Sequence, residues 1–335
     1  MAQFLVTGGC GFIGSHLVDQ LLRQGHRVRV LDDLSSGRTH NLAPEAELML
    51  GDVADPAMTA LAMAGVSGCF HLAAAGTAAS REDWSGSHRI NLGGTIAVFD
   101  AARRRTVPVV YASAAAVYGD GGDQRQSEMA PTRPLNAYGA DKLGCELHGR
   151  IAASQHGVPT AGLRFFNVYG PRQDPASPHA GVISLFAACA AAGTALPLHG
   201  DGEQQRDFIF VADVAAHLTA AMDRLLERQR DRRPAAAAVF NVCTGQPTRI
   251  RDLAALIARL SGQPPRLTML PPRAGDIRRL LGDPTAAIRH LRVAATTALE
   301  DGLRITLTRL QPEPAPALHP AAPFAVHWSS RLLSQ

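Results

Sequence analysis

The sequence lacks a long apolar run and a basic leader. It opens Met-Ala-Gln-Phe-Leu-Val-Thr-Gly, and no later stretch approaches the roughly 20 apolar residues that a membrane-spanning helix needs. A secretory signal would require a positive segment followed by an apolar core, and neither is present. We therefore expect a cytoplasmic protein with no membrane partner.

Cysteine is also scarce. The five cysteines are widely separated and form neither a C-x-x-C pair nor the spacing of a metal site. They are Cys10, Cys69, Cys145, Cys189 and Cys243. This pattern predicts free thiols in a reducing compartment and no bound metal.

The chain has little excess of charge of either sign. Its net charge is +4, with 46% hydrophobic and 19% charged residues among 335, which is typical of a globular protein with a large core and excludes bulk disorder. Arginine clusters at 103–105 and 232–233 are interpreted as solvated helix ends, so no nucleic-acid partner is expected. The modest positive excess would also suit an anionic substrate.

Short apolar runs alternate with helical stretches in the first half of the chain. The runs are at 4–6, 27–31, 68–71, 107–111 and 160–165. Such alternation predicts an α/β fold, a Rossmann-type doubly wound parallel sheet with helices on both faces. Beyond the last run the order is less regular, with strand-like segments at 207–211 and 238–242.

These patterns predict a division of the chain into a nucleotide-binding part and a smaller, interleaved C-terminal α/β substrate domain. The expected parts are a dinucleotide-binding domain at 1–167, to which 206–240 returns, a substrate domain over most of 168–310, and a proline- and alanine-rich tail at 311–335.

A glycine-rich turn lies between the first strand and the first helix. Its glycines are Gly8, Gly11 and Gly14. Glycine lets the backbone approach a pyrophosphate, and the helix N-terminus offers free amides and a positive dipole end. The alternative is a purely structural turn, but Asp32 follows about twenty residues later, where a carboxylate can bind a ribose hydroxyl. Since Asp32 would repel a ribose 2′-phosphate, the pattern favours NAD over NADP.

Two further features fit this site. Asp52 follows an apolar stretch and could contact the adenine, or it could simply close a turn at a strand end. Tyr138 and Lys142 are four residues apart, which places them on one face of a helix. A lysine cation beside a phenol stabilises the tyrosinate, which can then act as a general base, although the same spacing also occurs by chance.

Taken together, the motifs resemble the nucleotide-sugar epimerase group of the extended short-chain dehydrogenases/reductases. They include T-G-G-C-G-F-I-G at 7–14, D-D-L-S-S-G at 32–37, H-L-A-A at 71–74, V-Y-G at 117–119, Y-x-x-x-K at 138–142, L-R-F-F-N-V-Y-G-P-R at 163–172 and R-A-G-D at 273–276. The resemblance runs from residue 3 to about residue 310 and leaves only the tail outside.

The resemblance implies NAD-dependent epimerisation at C4 of a UDP-hexose, with UDP-glucose and UDP-galactose as the expected substrates. In this cycle Tyr138 takes the C4 hydroxyl proton, NAD takes and returns the C4 hydride, and Lys142 holds the nicotinamide ribose. The implied cofactor contacts are Gly8, Gly11, Phe12, Ile13, Gly14, Asp32, Asp33, Ser36, Gly37, Asp52, Val53, Leu72, Ala73, Ala74, Asn91, Tyr138, Lys142 and Phe166.

The same resemblance implies a set of substrate contacts. They are Asn167, Val182, Pro197, Leu198, His199, Arg206, Arg273 and Asp276. Of these, Asn167 and the two arginines would bind the diphosphate, and Asp276 the uridine ribose. Arginine suits a diphosphate because its charge-assisted hydrogen bonds are strong and often bidentate.

One position departs from the family pattern. A Ser or Thr is usual four residues before the tyrosine of V-Y-G, and this chain has Ala114 there. Ser113 is one residue too early and, on an extended strand, points to the other face. Three explanations are open: a serine-to-alanine change introduced to trap substrate, a slow natural enzyme in which Tyr138 works alone, or divergence to another activity.

Neighbouring positions limit the alternatives. Dehydratases and decarboxylases of the family carry an acid just after the Ser/Thr position, where this chain has Ala115 and Ala116, so a 4,6-dehydratase is disfavoured. The resemblance associates Leu280 with the choice between plain and N-acetylated hexoses, and its size leans towards the plain ones. Three alternatives stay open: a UDP-glucuronate epimerase or decarboxylase, a related reductase, and a catalytically inactive regulator that binds NAD and a nucleotide sugar.

By analogy with the family, helices at 91–105 and 138–153 would pair in a homodimer.

Overall fold

A computed structural model describes residues 1–175, 181–272 and 277–310 of the chain. Within these ranges the strands are β1 (Gln3–Thr7), β2 (Arg27–Asp32), β3 (Glu47–Leu50), β4 (Gly68–His71), β5 (Val109–Ala114), β6 (Thr160–Phe165), β7 (Asn167–Tyr169), β8 (Leu196–His199), β9 (Gln205–Phe210), β10 (Ala237–Val242), β11 (Pro247–Arg249), β12 (Leu267–Leu270) and β13 (Arg279–Leu280).

The α-helices of the described ranges alternate with these strands. They are α1 (Phe12–Arg23), α2 (Pro56–Ala62), α3 (Thr77–Glu82), α4 (Trp84–His88), α5 (Gly94–Arg103), α6 (Ala137–His156), α7 (Val182–Ala191), α8 (Val211–Arg230), α9 (Ile250–Leu260), α10 (Thr285–Leu291) and α11 (Leu299–Leu310). A π-helical turn, Arg89–Gly93, joins α4 to α5, and 3-10 turns occur at Thr39–Asn41 and Ala115–Tyr118.

The main sheet has seven parallel strands in the order β10-β6-β5-β4-β1-β2-β3. The predicted doubly wound parallel sheet is therefore confirmed. The winding reverses between β1 and β4, and in such sheets ligands bind outside the carboxyl ends of the strands at this switch point. The apolar run predicted at 107–111 is shifted in the structure, where β5 begins at Val109 and continues to Ala114.

Apolar helix faces cover both sides of this sheet. On one side α1 contributes Leu17, Val18 and Leu21, a stripe of helical spacing, to a core that it shares with α8. On the other side α2, α5 and α6 enclose a second core around Phe99 and Tyr111. The loops at the carboxyl edge are left uncovered by these helices.

A smaller unit follows β6. Strands β7, β9, β11 and β13 form a second sheet, and β8 pairs in parallel with β12. Helices α7, α9 and α11 pack on it around buried Phe186, Leu253 and Ile257. Of the segment 206–240, residues 206–210 lie in this second sheet, whereas α8 and β10 belong to the main body, where β10 pairs with β6. The strand-like segment at 207–211 ends at residue 210, because Val211 begins α8.

No helix in the described ranges combines the length and the apolarity that a membrane crossing requires. The predicted tail at 311–335 lies outside the described residues.

Candidate functional site

The glycine-rich turn packs tightly against the neighbouring strand at the switch point. Gly8 has φ 71°, and a Cβ there would lie 2.7 Å from the backbone nitrogen of Ala73, so a larger residue could not be accommodated. Helix α1 begins at Phe12, and Gly11 before it supplies no side-chain cap. The first amides of α1, at Phe12, Ile13 and Gly14, are thus available for a phosphate.

Asp32 lies at the carboxyl end of β2, beneath this turn. Its carboxylate accepts hydrogen bonds from the backbone N–H groups of Cys10 and Leu34, both at 2.9 Å. Burial raises the pKa of Asp32, and these two hydrogen bonds oppose the rise. A Cβ on Gly37 would lie 2.8 Å from Asp32 Oδ1, so a side chain at position 37 would collide with this carboxylate.

The adjacent residues of the same loop face outward. Asp33 is exposed and accepts a 2.6 Å hydrogen bond from the Ser35 hydroxyl, while Ser36 is exposed beside it. Of the two aspartates, Asp32 is therefore the one placed to meet a ribose beside the glycine turn.

Asp52 follows β3 and forms an ion pair that the sequence did not suggest. Arg89 of the π-helical turn donates to its carboxylate at 2.6 Å, and the Ala54 N–H donates at 2.8 Å. Partial burial works against ionisation, but these two hydrogen bonds and the Arg89 charge together lower the pKa of Asp52. Val53 beside it is buried against the start of α5.

A buried histidine connects the strands at the switch point. His71 Nδ1 lies 2.8 Å from the Thr7 hydroxyl and Nε2 lies 2.9 Å from the Thr95 hydroxyl. Thr95 gives its own proton to the Asn91 carbonyl at 2.6 Å, so it must accept from His71, which assigns the proton to Nε2. Burial, with a contribution from the Lys142 charge, lowers the pKa of His71 to about 3, and the ring is therefore neutral.

Asn91 has a polar atom that the protein leaves unpaired. Its side-chain oxygen accepts from the Ala75 N–H at 2.9 Å, but its Nδ2 is buried without a hydrogen-bond partner among the described residues. Buried donors are nearly always satisfied, so this one fits a bound group at the carboxyl edge. Leu72, Ala73 and Ala74, which follow β4, lie at the same edge.

Tyr138 and Lys142 occupy the first two turns of α6. The helix starts at this edge because it follows β5, and the Asn136 side chain caps it by accepting from the Gly139 N–H at 2.8 Å. Lys142 is only 2% exposed, and its Nζ lies 5.7 Å from the centre of the Tyr138 ring. Burying an ammonium is costly, so its position beside a partly exposed phenol indicates a functional role.

Ala114 is the last residue of β5, next to Phe165 of β6, and is 7% exposed. The preceding Ser113 donates a 2.6 Å hydrogen bond to Glu146, two turns along α6 from Tyr138. The Ser113 hydroxyl is thus held by a buried carboxylate and is not free to replace the hydroxyl that Ala114 lacks.

Glu146 belongs to a buried polar network that sequence reasoning missed. Arg164, from the otherwise apolar β6, binds it through Nε at 2.8 Å and Nη2 at 2.7 Å. Arg164 also donates to the Tyr118 hydroxyl at 2.8 Å, and Tyr118 donates to Asn241 at 2.6 Å. The network ties α6 to β5, β6 and β10 directly behind the candidate catalytic pair.

The expected substrate contacts fall on the smaller unit and its junction with the main sheet. Asn167 begins β7, and its Oδ1 is buried without a partner among the described residues. Arg206 on β9 is in register with Leu280 on β13. Phe166, just after β6, is buried with its ring 6.3 Å from that of Tyr118.

The other expected substrate contacts have different surroundings. Val182 is the first residue of α7, while Pro197 and His199 are half-buried on β8. Leu198 between them faces the apolar core of the smaller unit, so only its backbone could meet a ligand. The predicted ligands Arg273 and Asp276 lie outside the described residues.

Comparison with known proteins places this arrangement in a family. The sequence profile of the NAD dependent epimerase/dehydratase family matches residues 4–243. The UDP-glucose 4-epimerase of Mycolicibacterium smegmatis is 36% identical over 312 residues, which is 90% of this chain and 96% of that protein.

Solved structures agree with the sequence match. The UDP-glucose 4-epimerase of Thermotoga maritima, crystallised with UDP-glucose, has a TM-score of 0.85 and 32% identity, covering 92% of this chain and 98% of that one. A UDP-N-acetylglucosamine 4-epimerase of Methanobrevibacter ruminantium, in complex with UDP-N-acetylmuramic acid, has a TM-score of 0.85 and 30% identity. The match covers 92% of this chain and 97% of that one.

The expected family and cofactor are therefore confirmed, and the glycine turn and the unpaired Asn91 amide suit that cofactor. The chain is an NAD-dependent enzyme of the nucleotide-sugar epimerase group, and it belongs to the NAD dependent epimerase/dehydratase family of extended short-chain dehydrogenases/reductases.

Proposed function

We propose that the chain interconverts UDP-glucose and UDP-galactose by epimerisation at C4 of the hexose. The observation that carries the proposal is the pairing of Tyr138 with buried Lys142 at the edge of the sheet that holds the glycine turn. Parallel-sheet enzymes of this kind bind their ligands at that edge.

The five cysteines are free thiols, which fits the expected cytoplasmic location.

In this proposal Tyr138 accepts the proton of the C4 hydroxyl and returns it after the 4-keto sugar has rotated within the site. Lys142 stabilises the tyrosinate and binds the nicotinamide ribose, and Asn91 supplies its unpaired Nδ2 to the cofactor side. Bound NAD would supply reversible hydride transfer at C4 of the sugar, with no net redox change and no need for exchange between turnovers.

The substrate would lie between the two units of the fold. Arg206 and Asn167 are assigned to the diphosphate, to which the Arg206 guanidinium can donate. Asn167 can donate to it only through Nδ2, because its unpaired Oδ1 is an acceptor. Arg273 and Asp276 are assigned by the family pattern to the diphosphate and the uridine ribose.

Leu280 is proposed to favour a plain hexose over an N-acetylated one. It packs against the cluster of Tyr118 and Phe166 beside Arg206, so its side chain is held in place by neighbours. A larger residue would narrow this region further, and a smaller one would open it.

A second function is favoured by one observation. Because Ala114 has no hydroxyl and Ser113 is engaged by Glu146, the usual proton relay is incomplete. A regulator that binds NAD and a UDP-sugar without turnover would tolerate this loss, although it would not require Tyr138 and Lys142. The same stretch, with Ala115 and Ala116 in place of an acid, argues against a 4,6-dehydratase.

A homodimer is also proposed. Helices α5 and α6 present an uncovered apolar face, on which Ile96 is 40% exposed, Leu147 52% and Ile151 43%. Adjacent apolar side chains on two neighbouring helices suit a helix-pair contact between two copies.

The test is conversion of UDP-galactose by the NAD-loaded chain, with the two sugar nucleotides separated by anion-exchange chromatography. We expect UDP-glucose to form until equilibrium is reached, slower conversion of UDP-N-acetylgalactosamine, and loss of both conversions in Tyr138→Phe. If neither this chain nor Ala114→Ser converts any UDP-sugar while both still bind NAD, the regulator is the correct function.

A further inference from the structure

An open cavity lies at the edge of the main sheet opposite to the candidate active site. It is formed where the loops after α5, α6 and α8 meet, at the amino ends of the strands, and its volume is about 150 Å³. Its lining includes Thr106, Gly157, Arg228, Arg232 and Arg233. Since one water needs only about 10–15 Å³ measured in this way, the cavity has room for a small polyatomic ligand.

The surroundings of this cavity are strongly basic. Residues 224–233 contain five arginines and two acids, and the neighbouring loop contributes three more arginines at 103–105. The acids are partly neutralised within the same segment, where Arg224 pairs with Glu227 at 2.5 Å and Arg233 with Asp231 at 3.3 Å. Arg232, in contrast, forms no ion pair with any residue that the structure describes.

The three helices that border the cavity end in similar ways. After α5 and α8 an amide bonds back to a carbonyl five residues earlier, Val107 to Ala102 at 3.1 Å and Arg233 to Arg228 at 3.0 Å. After α6 the Val158 amide bonds to the Ala152 carbonyl, six residues earlier, at 3.0 Å. Such endings place one residue in the left-handed conformation, which glycine adopts most easily.

Only one of the three left-handed positions is glycine. Gly157 closes α6 with φ 67°, but Thr106 and Arg232 adopt φ 50° and 55° after α5 and α8. A β-branched or long side chain is unfavourable there, and strain of this kind concentrates at binding sites. The chain thus retains a hydroxyl and a guanidinium at two positions where glycine would be more stable.

We propose that this cavity binds a small phosphate-bearing molecule, held by the guanidinium groups of Arg228 and Arg232. Neutralisation of the helix C-terminal dipoles would explain arginines at these helix ends without a ligand. Arg228 donates at 3.3 Å to the carbonyl of Pro234, in the loop beyond the end of α8. Dipole neutralisation does not explain why Arg232 lines a cavity in a left-handed conformation without an acidic partner among the described residues, whereas a bound anion would explain it. The small volume of about 150 Å³ favours a compact phosphate over a nucleic-acid backbone.

The experiment is calorimetric titration of the full chain with inorganic phosphate at constant ionic strength. All variants are made in a chain that carries Arg206→Gln, because this change weakens phosphate binding at the proposed diphosphate site on the opposite edge. We expect one phosphate per chain, with at least tenfold weaker binding after Arg232→Gln and partial recovery with Arg232→Lys. Arg259→Gln, which removes another exposed arginine, on α9 and paired with Glu300, is the control and should leave the affinity unchanged.

Thermal unfolding gives an independent readout. Phosphate should raise the melting temperature of the unsubstituted chain above that in chloride of equal ionic strength. Arg232→Gly should raise the melting temperature without phosphate, because it relieves the left-handed strain, and should abolish the phosphate-dependent rise. Equal phosphate affinity in Arg232→Gln and Arg259→Gln, or binding of an oligonucleotide that phosphate does not displace, would overturn the proposal.

Discussion

Replacement of Ala114 by serine tests the catalytic proposal at the position where the family resemblance implies a Ser or Thr. Ala114 has φ −148° and ψ 150°, an extended conformation that serine adopts without strain. The substitution adds a single oxygen at the end of β5, one residue before the 3-10 turn that leads towards α6. Binding of NAD and of the sugar nucleotide should therefore be preserved.

The expected gain follows from the role of the missing group. A positioned proton-relay hydroxyl contributes about 10²- to 10⁴-fold to a rate, so kcat of Ala114→Ser should rise by about that factor with little change in KM. The side chain of Ala114 is only 7% exposed, so without substrate the new hydroxyl is largely buried. If it finds no partner, it lowers the free energy of unfolding by about 1–3 kcal/mol. The variant should thus be faster and slightly less stable.

The assay is the rate of UDP-galactose conversion, measured together with chemical denaturation. Ala115→Ser is the matched control, because this neighbour is equally buried, at 3%, but lies within the 3-10 turn, and it should give no gain in rate. Equal turnover in Ala114→Ser and the unsubstituted chain would refute the assignment of the defect to this hydroxyl. An equal gain in Ala115→Ser would refute the positional argument.

Three further predictions concern the surrounding structure. The folded-state pKa of His71 is about 3, well below the roughly 6.5 of the unfolded chain, so its contribution to stability is complete above pH 6.5 and is lost as the pH falls. The free energy of unfolding should decrease by about 2 kcal/mol by pH 5, and urea titrations of His71→Gln should show a flatter pH dependence. Glu146→Gln should lower the free energy of unfolding by about 3–5 kcal/mol, since it leaves the buried Arg164 cation unpaired. Ser113→Ala should lower it by only about 1 kcal/mol, and equal losses in guanidinium denaturation would contradict the importance of the Glu146–Arg164 pair. Leu147→Glu should convert the proposed dimer to a monomer in sedimentation experiments, while Leu61→Glu, a similarly exposed position on α2, should not.

The parts of the fold that follow from local pattern were predictable. The glycine turn requires only a strand, three glycines and a helix in succession, and the conformation of Gly8 and the start of α1 at Phe12 follow from those neighbours. The placement of Asp32 also depends mainly on the length of one β-α-β unit. The boundaries of β5 and β9 were less predictable, since pairing with neighbouring strands determines where a strand ends.

Contacts between distant segments could not be predicted in this way. The pair of Asp52 with Arg89 joins the end of β3 to a π-helical turn, and neither residue has a local pattern that names the other. Arg164 gave the one usable signal, because a charged residue within a fully buried strand requires a partner. That signal does not identify Glu146, which lies 18 residues earlier in the sequence, on α6.

The buried network has a consequence for the role of Ala114. Glu146 fixes α6 against β6 through Arg164, with hydrogen bonds of 2.8 and 2.7 Å, and against β5 through Ser113, with one of 2.6 Å. None of these bonds involves residue 114. The position of the helix that carries Tyr138 and Lys142 therefore does not depend on a hydroxyl at the end of β5. A missing hydroxyl there removes a step of proton transfer but leaves the base and the cation in place. For this reason ligand binding and turnover should separate at Ala114, and a chain that binds NAD and a UDP-sugar tightly can still be slow.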